Sequence, residues 1–144
     1  MQAMNGYSNE ELGQPQTVLI VDDDPLIRYV EAELLSSHGY NVLQADSAAE
    51  ALRLADSAAI HLLLTDFSMP DVDGLELTRR FRAVHPETPV LLVSGSLPWM
   101  HHKIEALDHF AVLAKPFHID ELLTKARTLL HAAAPVPWLD RKAA

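Results

Sequence analysis

Apolar and polar positions alternate along the chain in blocks of two kinds. Short apolar runs of strand length are each followed by a longer stretch with apolar residues at helical spacing. The runs predict five strands, at residues 18–21, 41–44, 60–65, 89–94 and 111–114. Because most of these runs are continuously apolar, they indicate strands that are buried on both faces, as in a parallel sheet.

Helical patterns follow each of the five predicted strands. The first helix has Asp24 as its N-cap and Pro25 at its first position, and Gly39 follows its end. The second opens on a capping box formed by Ser47 and Glu50. Spacing predicts the other three at residues 74–84, 98–107 and 119–132. This alternation predicts an α/β fold, a doubly wound five-stranded parallel sheet with five helices in a three-layer sandwich.

The two ends of the chain lack such periodicity. Residues 1–16 are rich in Asn, Gln, Gly and Glu, which predicts a flexible leader. Residues 132–144 contain Pro135 and Pro137, which stop a helix, so we expect a short C-terminal tail. Residues 17–131 then form one domain, since a chain of 144 residues has room for little more.

Charge and composition narrow the classes of function. The 11 basic and 20 acidic residues give a net charge of −9, which disfavours direct contact with nucleic acid or an acidic membrane surface. The absence of cysteine excludes disulfides, thiolate catalysis and zinc–thiolate sites. No run approaches the ~18 apolar residues that cross a bilayer, and residues 1–16 lack the apolar centre of a signal peptide. We therefore expect a cytoplasmic protein.

Polar side chains end four of the five predicted strands. Ligands of open parallel sheets bind beyond the carboxyl ends of the strands, so these side chains are the candidate site. They are Asp22, Asp23 and Asp24 after the first strand, Asp66 after the third, Ser94 at the end of the fourth and Lys115 after the fifth. Asp24 is better explained as the helix cap, because one acid suffices for a cap.

This set of side chains predicts phosphoryl chemistry. Converging carboxylates repel one another, and a hard divalent cation such as Mg²⁺ (or Mn²⁺) relieves that repulsion. The cation keeps coordination positions open for phosphoryl oxygens, while Lys115 supplies a positive charge and Ser94 a hydroxyl donor. With no Cys, His or Ser–His pair at this edge, the nucleophile is expected to be a carboxylate.

Four segments in this order and spacing resemble the receiver domains of bacterial two-component response regulators. They are VLIVDDDP, LLLTDFSMPDVDG, LLVSGS and LAKPF. The resemblance implies a flavodoxin-like fold with strand order 2-1-3-4-5. It makes Asp66 the phosphoacceptor and Lys115 the phosphate-pairing cation, and it implies a cis peptide between Lys115 and Pro116. It also makes Ser94 the switch hydroxyl and assigns the metal to Asp22, Asp23, Asp66 and the backbone carbonyl of Ser68.

The resemblance also implies a function. A receiver takes a phosphoryl group from a histidine kinase or a histidine phosphotransfer protein and presents an altered surface to a downstream protein partner. That surface is expected on the fourth helix, the fifth strand and the fifth helix, and a homodimer is possible. Apart from self-phosphorylation and autodephosphorylation, the protein is not expected to be an enzyme. Two departures stand out: Val112 replaces the usual aromatic residue, and the segment from Ser94 to Lys115 is about one residue shorter than usual.

Two alternatives stay open at the level of sequence. The chain is also compatible with a receiver excised from a hybrid histidine kinase or a longer regulator. A haloacid-dehalogenase-type phosphatase likewise uses an Asp nucleophile, and Asp22 and Asp24 give its Asp-x-Asp. That family, however, wants Thr or Val where Leu26 stands, and it leaves Asp66 without a role. DNA binding is not expected, since no helix-turn-helix follows the fifth helix.

Overall fold

The computed structural model describes residues 15–95 and 108–133. All five predicted strands lie within these ranges and form one parallel sheet in the order β2-β1-β3-β4-β5, as expected. The strands are β1 (Thr17–Val21), β2 (Asn41–Ala45), β3 (Leu62–Asp66), β4 (Val90–Ser94) and β5 (Phe110–Ala114). The predicted order of the sheet is therefore confirmed.

Helices connect the strands and follow the last one. They are α1 (Pro25–Ser37), α2 (Ala48–Ser57), α3 (Gly74–Val84) and α4 (Ile119–Ala133). The two described ranges thus contain four helices and not the five predicted, because the helix expected at 98–107 falls between them. The helix labelled α4 is the fifth predicted helix. Most of the predicted leader and residues 134–144 of the predicted tail also lie outside the described residues.

Several strand and helix ends differ by one or two residues from the prediction. Pro89 was expected to open the fourth strand, but it has no N–H, and β4 begins at Val90. The carbonyl of Pro89 still accepts a hydrogen bond of 3.0 Å from Leu63 N. Helix α4 continues through residue 133, one residue beyond its predicted end.

The predicted caps are present at the helix starts. Asp24 accepts hydrogen bonds from two backbone N–H groups of α1, at 2.9 and 3.4 Å. Ser47 accepts from Glu50 N at 3.2 Å, and the Glu50 carboxylate accepts in turn from the backbone N–H of Asp46. A further cap, which the sequence analysis did not predict, is Asp73 at the start of α3, which accepts from Glu76 N at 2.8 Å. These bonds satisfy N–H groups that a helix leaves without partners.

Two apolar layers hold the sheet between the helices. Along β1, Val18 and Ile20 pack on one face with α1 and α4, while Leu19 and Val21 pack on the other with α2 and α3. All four side chains are buried. The alternation explains the continuous apolar run, because both faces of the strand lie in a core. None of the described helices is long and apolar enough to cross a membrane.

A single arginine ties α3 to the start of β5. The guanidinium of Arg82 donates to the carbonyls of Thr88 at 3.1 Å, Asp108 at 2.6 Å and His109 at 2.5 Å. The His109 carbonyl also accepts from Val90 N at 2.9 Å, which continues the β4–β5 pairing. The point at which the chain enters the edge strand is therefore held by hydrogen bonds from two elements.

Candidate functional site

The side chains singled out from the sequence meet at the carboxyl edge of the sheet. Asp22 follows β1, Asp66 and Ser94 are the last residues of β3 and β4, and Lys115 follows β5. Asp22, Asp66 and Ser94 are buried, and the Lys115 side chain is 33% exposed. The parallel pairing of the strands places these residues together.

An ion pair joins Asp66 and Lys115. Lys115 Nζ lies 2.6 Å from Asp66 Oδ1. Burial lowers the pKa of Lys115, but its contact with Asp66 and the negative charges around it more than offset this, so the pKa is raised. The lysine stays cationic. Asp66 Oδ1 is itself buried, and the Lys115 ammonium group is the partner that compensates its charge.

Three carboxylates converge beside this ion pair. Oxygens of Asp22, Asp23 and Asp66 all lie within 4.8 Å of one another, with Asp23 exposed and the other two buried. Burial raises the pKa of Asp22, a hydrogen bond from the Asp24 backbone opposes the rise, and the charge of Asp66 adds to it. Oxygen ligands at this spacing, two of them on buried carboxylates, fit a hard divalent cation such as Mg²⁺.

Two hydrogen bonds hold Asp22 in place directly after β1. Asp22 Oδ1 accepts a hydrogen bond of 2.9 Å from Asp24 N, and the Asp22 carbonyl accepts one of 2.6 Å from Arg28 Nη1. The carboxylate of Asp24 accepts hydrogen bonds from the first turn of α1. The structure thus places Asp24 in the cap role and leaves Asp22 and Asp23 facing Asp66.

Gly74 lets α3 press against the candidate phosphoacceptor. A Cβ on Gly74 would lie 2.5 Å from the Asp66 carbonyl oxygen and 2.7 Å from Leu92 Cδ1. Real Cβ atoms do not approach so closely, so only glycine fits here. Gly74 N also donates to the Phe67 carbonyl at 2.8 Å, which fixes the chain directly after Asp66.

The other predicted site residues occupy defined places around the carboxylates. Ser94 pairs in register with Ala114, and its carbonyl accepts from Lys115 N at 3.0 Å. Ser68 is exposed in the loop after β3, and the metal role of its carbonyl stays a prediction. Val112 is half-buried on β5 where an aromatic residue was expected. The Lys115–Pro116 peptide is cis, as the resemblance implied.

Glu31 is a buried acid that the sequence analysis missed. Its side chain is on α1 and only 4% of the residue is exposed. Burial and the charge of Asp22 raise its pKa to about 8, although Lys115 opposes the rise. A signal was present, because Glu31 stands between Ile27 and Leu34 at helical spacing, in a stripe that is otherwise apolar.

A groove opens next to this site, between α1 and the segment that leads into α4. Its volume is about 610 Å³, and both Glu31 and Lys115 line it. Its apolar lining includes side chains that remain exposed in this chain, among them Leu26 at 70%, Val30 at 51% and Ile119 at 56%. An exposed apolar surface of this kind is typical of a place where a partner binds.

A family model described as the response regulator receiver domain matches residues 18–127. The chain belongs to this family. The receiver is similar to the response regulator MprA of Mycolicibacterium vanbaalenii, with 35% identity over 123 residues, which cover 84% of this chain and 53% of MprA. It is also similar to the response regulator receiver protein CpdR of Brucella abortus, with 32% identity, covering 81% of this chain and 98% of CpdR.

A solved structure supports the same assignment. The response regulator TrrA of Thermotoga maritima, whose crystal structure is a complex with Mg²⁺ and BeF, superposes with a TM-score of 0.71 at 29% identity. The match covers 79% of this receiver and 98% of TrrA. The family is a signalling family, and these similarities do not favour the phosphatase alternative. The receiver spans about half the length of MprA.

Proposed function

We propose that Asp66 accepts a phosphoryl group from a phosphohistidine on a histidine kinase or a histidine phosphotransfer protein. The observation that supports this most directly is the buried Asp66 carboxylate, which lies 2.6 Å from Lys115 and beside two further carboxylates. In the transfer, an Asp66 oxygen forms a bond to phosphorus as the phosphorus–nitrogen bond of the donor breaks. The histidine nitrogen keeps the electron pair of the broken bond.

The surrounding residues then have separate tasks. Asp22, Asp23, Asp66 and the Ser68 carbonyl would hold Mg²⁺ (or Mn²⁺), which neutralises charge on the phosphoryl oxygens. Lys115 pairs with another phosphoryl oxygen, and the Ser94 hydroxyl donates to a third. Attack by water on the phosphorus of the acyl phosphate breaks its bond to the Asp66 oxygen, releases inorganic phosphate and returns Asp66 to its free carboxylate. Both self-phosphorylation and this autodephosphorylation are part of the proposal.

The signal is a changed surface for a downstream protein. Ser94 and Lys115 move toward the phosphoryl group when it is present, and this favours a second arrangement of the predicted fourth helix, β5 and α4. Val112 is short and stiff about its first torsion, so it does not supply the large rotation of an aromatic side chain. We propose that the receiver works in the cytoplasm without touching nucleic acid or membrane, and that it is able to form a homodimer.

Acetyl phosphate labelling tests the nucleophile. With Mg²⁺ present, mass spectrometry should show one added phosphoryl group on the wild type and none on Asp66→Asn. Asp71→Asn, which changes an exposed Asp in the nearby loop, should be labelled like the wild type. A hydroxylamine-labile phosphoryl group on Asp66→Asn, at the wild-type level, would show that the nucleophile is another residue.

A further inference from the structure

The groove beside the site leaves apolar side chains of two helices exposed to water. Its lining is mostly apolar and includes Leu26, Val30 and Ile119, all of which are exposed. Helices α1 and α4 pack on the same face of the sheet, so the groove follows the line between them. An apolar segment that covered these side chains would remove their surface from water, which is favourable.

One segment of this chain has the composition to fill the groove. Residues 134–144 follow α4 directly and lie outside the described part of the chain. The segment contains two prolines, three larger apolar residues and then a basic pair, which are Pro135 and Pro137, Val136, Trp138 and Leu139, and Arg141 with Lys142. Because proline fixes its own φ, such a segment loses less conformational entropy on binding than a fully flexible one.

The length of the chain allows this segment to turn back along α4. Helix α4 has 15 residues and is therefore about 22 Å long. Trp138 stands five residues beyond Ala133, the last residue of α4, which gives it a reach of about 17 Å. Arg141 stands eight residues beyond Ala133 and has a reach of about 28 Å. Trp138 is thus able to enter the groove while the basic pair returns to the level at which α4 begins.

The charges at that end of the groove complement the basic pair. The groove lining includes Lys115, which contacts Asp66 at the carboxyl edge of the sheet. The carboxylates of Asp22 and Asp23 lie beside Asp66, and Asp23 is exposed. Three carboxylates against one lysine leave an excess of negative charge, which attracts a basic segment.

Glu31 supplies the polar partner that a buried tryptophan needs. A tryptophan that is removed from water usually keeps a hydrogen bond from its indole N–H. Glu31 lines the groove among apolar side chains, and only 4% of the residue is exposed. Its carboxyl group is able to accept a hydrogen bond with or without a proton of its own. An indole in the groove therefore has an acceptor within an otherwise apolar surface.

We propose that residues 134–144 fold back into this groove, with Trp138 in its apolar part and the indole N–H donating to Glu31. The basic pair then lies beside the exposed carboxylate of Asp23. A partner protein that binds this face of the receiver has to displace the segment first, so residues 134–144 regulate access to the groove. This inference is independent of phosphoryl transfer, because its test reports only the position of the segment.

Acrylamide quenching of tryptophan fluorescence tests where Trp138 lies. Trp99→Phe leaves Trp138 as the single tryptophan of the chain. We expect acrylamide to quench its emission at least about threefold less efficiently than in the same protein unfolded in urea, because a packed indole is shielded. Val30→Asp in this background places a charge in the groove and should raise quenching to near the unfolded level. Quenching of Trp99→Phe itself at the unfolded level would overturn the inference.

Matched variants test whether the groove is the place that shields Trp138. Val84→Asp makes the same change at an exposed valine on α3 and should leave quenching unaltered. Ile119→Asp is a second groove variant, in which an acid suits the first turn of α4, and it should also expose Trp138. Circular dichroism identifies any variant that unfolds. Shielding that persists in folded Val30→Asp and Ile119→Asp would place the segment elsewhere and overturn the inference.

Two further measurements test the hydrogen bond and the chain to which the segment belongs. In the Trp99→Phe background, exchange of the indole proton, followed by NMR, should be about fivefold or more faster in Glu31→Leu than in Glu31→Gln, which keeps an acceptor. Equal exchange rates would contradict the role of Glu31. A segment seated in the groove of a second copy would form a dimer in sedimentation velocity, and dilution would remove both dimer and shielding. That outcome would overturn the fold-back within one chain, whereas shielding of a monomer supports it.

Discussion

Replacing the buried acid on α1 should stabilise the receiver, by an amount that depends on pH. Glu31→Gln keeps the size of the side chain but removes its ionisation. The pKa of Glu31 is about 8 in the folded protein, against an ordinary value of 4.5. Between these two values the unfolded chain ionises and the folded protein holds the proton. Folding then has to take up a proton, and its free energy becomes less favourable as pH rises.

The size of this effect follows from the two pKa values. Each unit of pH between these two pKa values lowers the free energy of unfolding by about 1.4 kcal/mol. At pH 7 the wild type therefore loses about 3 kcal/mol relative to its stability below pH 4.5. Glu31→Gln has no such loss. Its stability advantage should grow by about 3 to 4 kcal/mol between about pH 5 and pH 8.

Urea unfolding followed by circular dichroism measures this difference. Both proteins are unfolded at several pH values in EDTA, so that no divalent cation occupies the carboxylates. Subtracting the wild-type free energy of unfolding from that of Glu31→Gln cancels the histidines and other groups common to both. Glu33→Gln, on the exposed side of the same helix, should show no pH-dependent difference. A constant difference for Glu31→Gln across this range would mean that Glu31 is ionised in the folded protein.

Other substitutions test the contacts around the site. Gly74→Ala should lower the free energy of unfolding by about 1–3 kcal/mol, since its Cβ would meet the backbone of Asp66; unfolding at the wild-type urea concentration would refute this. Asp23→Asn should abolish Mg²⁺ binding in a calorimetric titration, whereas Asp24→Ala should keep it and cost ~0.5–2 kcal/mol of stability. Equal loss of Mg²⁺ binding in both would assign the metal to Asp24. Arg82→Lys should lower the free energy of unfolding by about 1–3 kcal/mol, because a lysine ammonium group lacks the planar set of donors with which the guanidinium binds three carbonyls. An unchanged melting temperature would show that these hydrogen bonds add little.

Local signals were sufficient to predict the five strands and the position of the candidate site, whereas the order of the strands came from the family resemblance. The strands are short apolar runs, and Asp22, Asp66 and Lys115 follow them directly, so parallel pairing places them at one edge. The cap at Asp24 is likewise a local pattern. These features depend on residues that are close in sequence or on the common direction of the strands.

Features that depend on distant contacts were not predictable in the same way. Gly74 has no room for a Cβ because Asp66 and Leu92, on two other elements, lie too close to it. The burial of Glu31 depends on how α1 packs against the segment leading into α4. In the sequence, Arg82 is an ordinary basic residue near a helix end. Only the structure shows that its guanidinium donates to the carbonyls of Asp108 and His109. A single sequence without related chains does not contain these distances.

The hydrogen bonds of Arg82 bear on how this receiver is able to diverge from its relatives. Ser94 pairs in register with Ala114 at the end of the β4–β5 pairing. Because Arg82 holds the carbonyls of Asp108 and His109, hydrogen bonds from α3 help to fix the position at which the chain enters β5. Sequence changes between the two strands that leave Arg82 and its acceptor carbonyls in place should therefore leave the register of β4 and β5 unchanged, and with it the positions of Ser94 and Lys115.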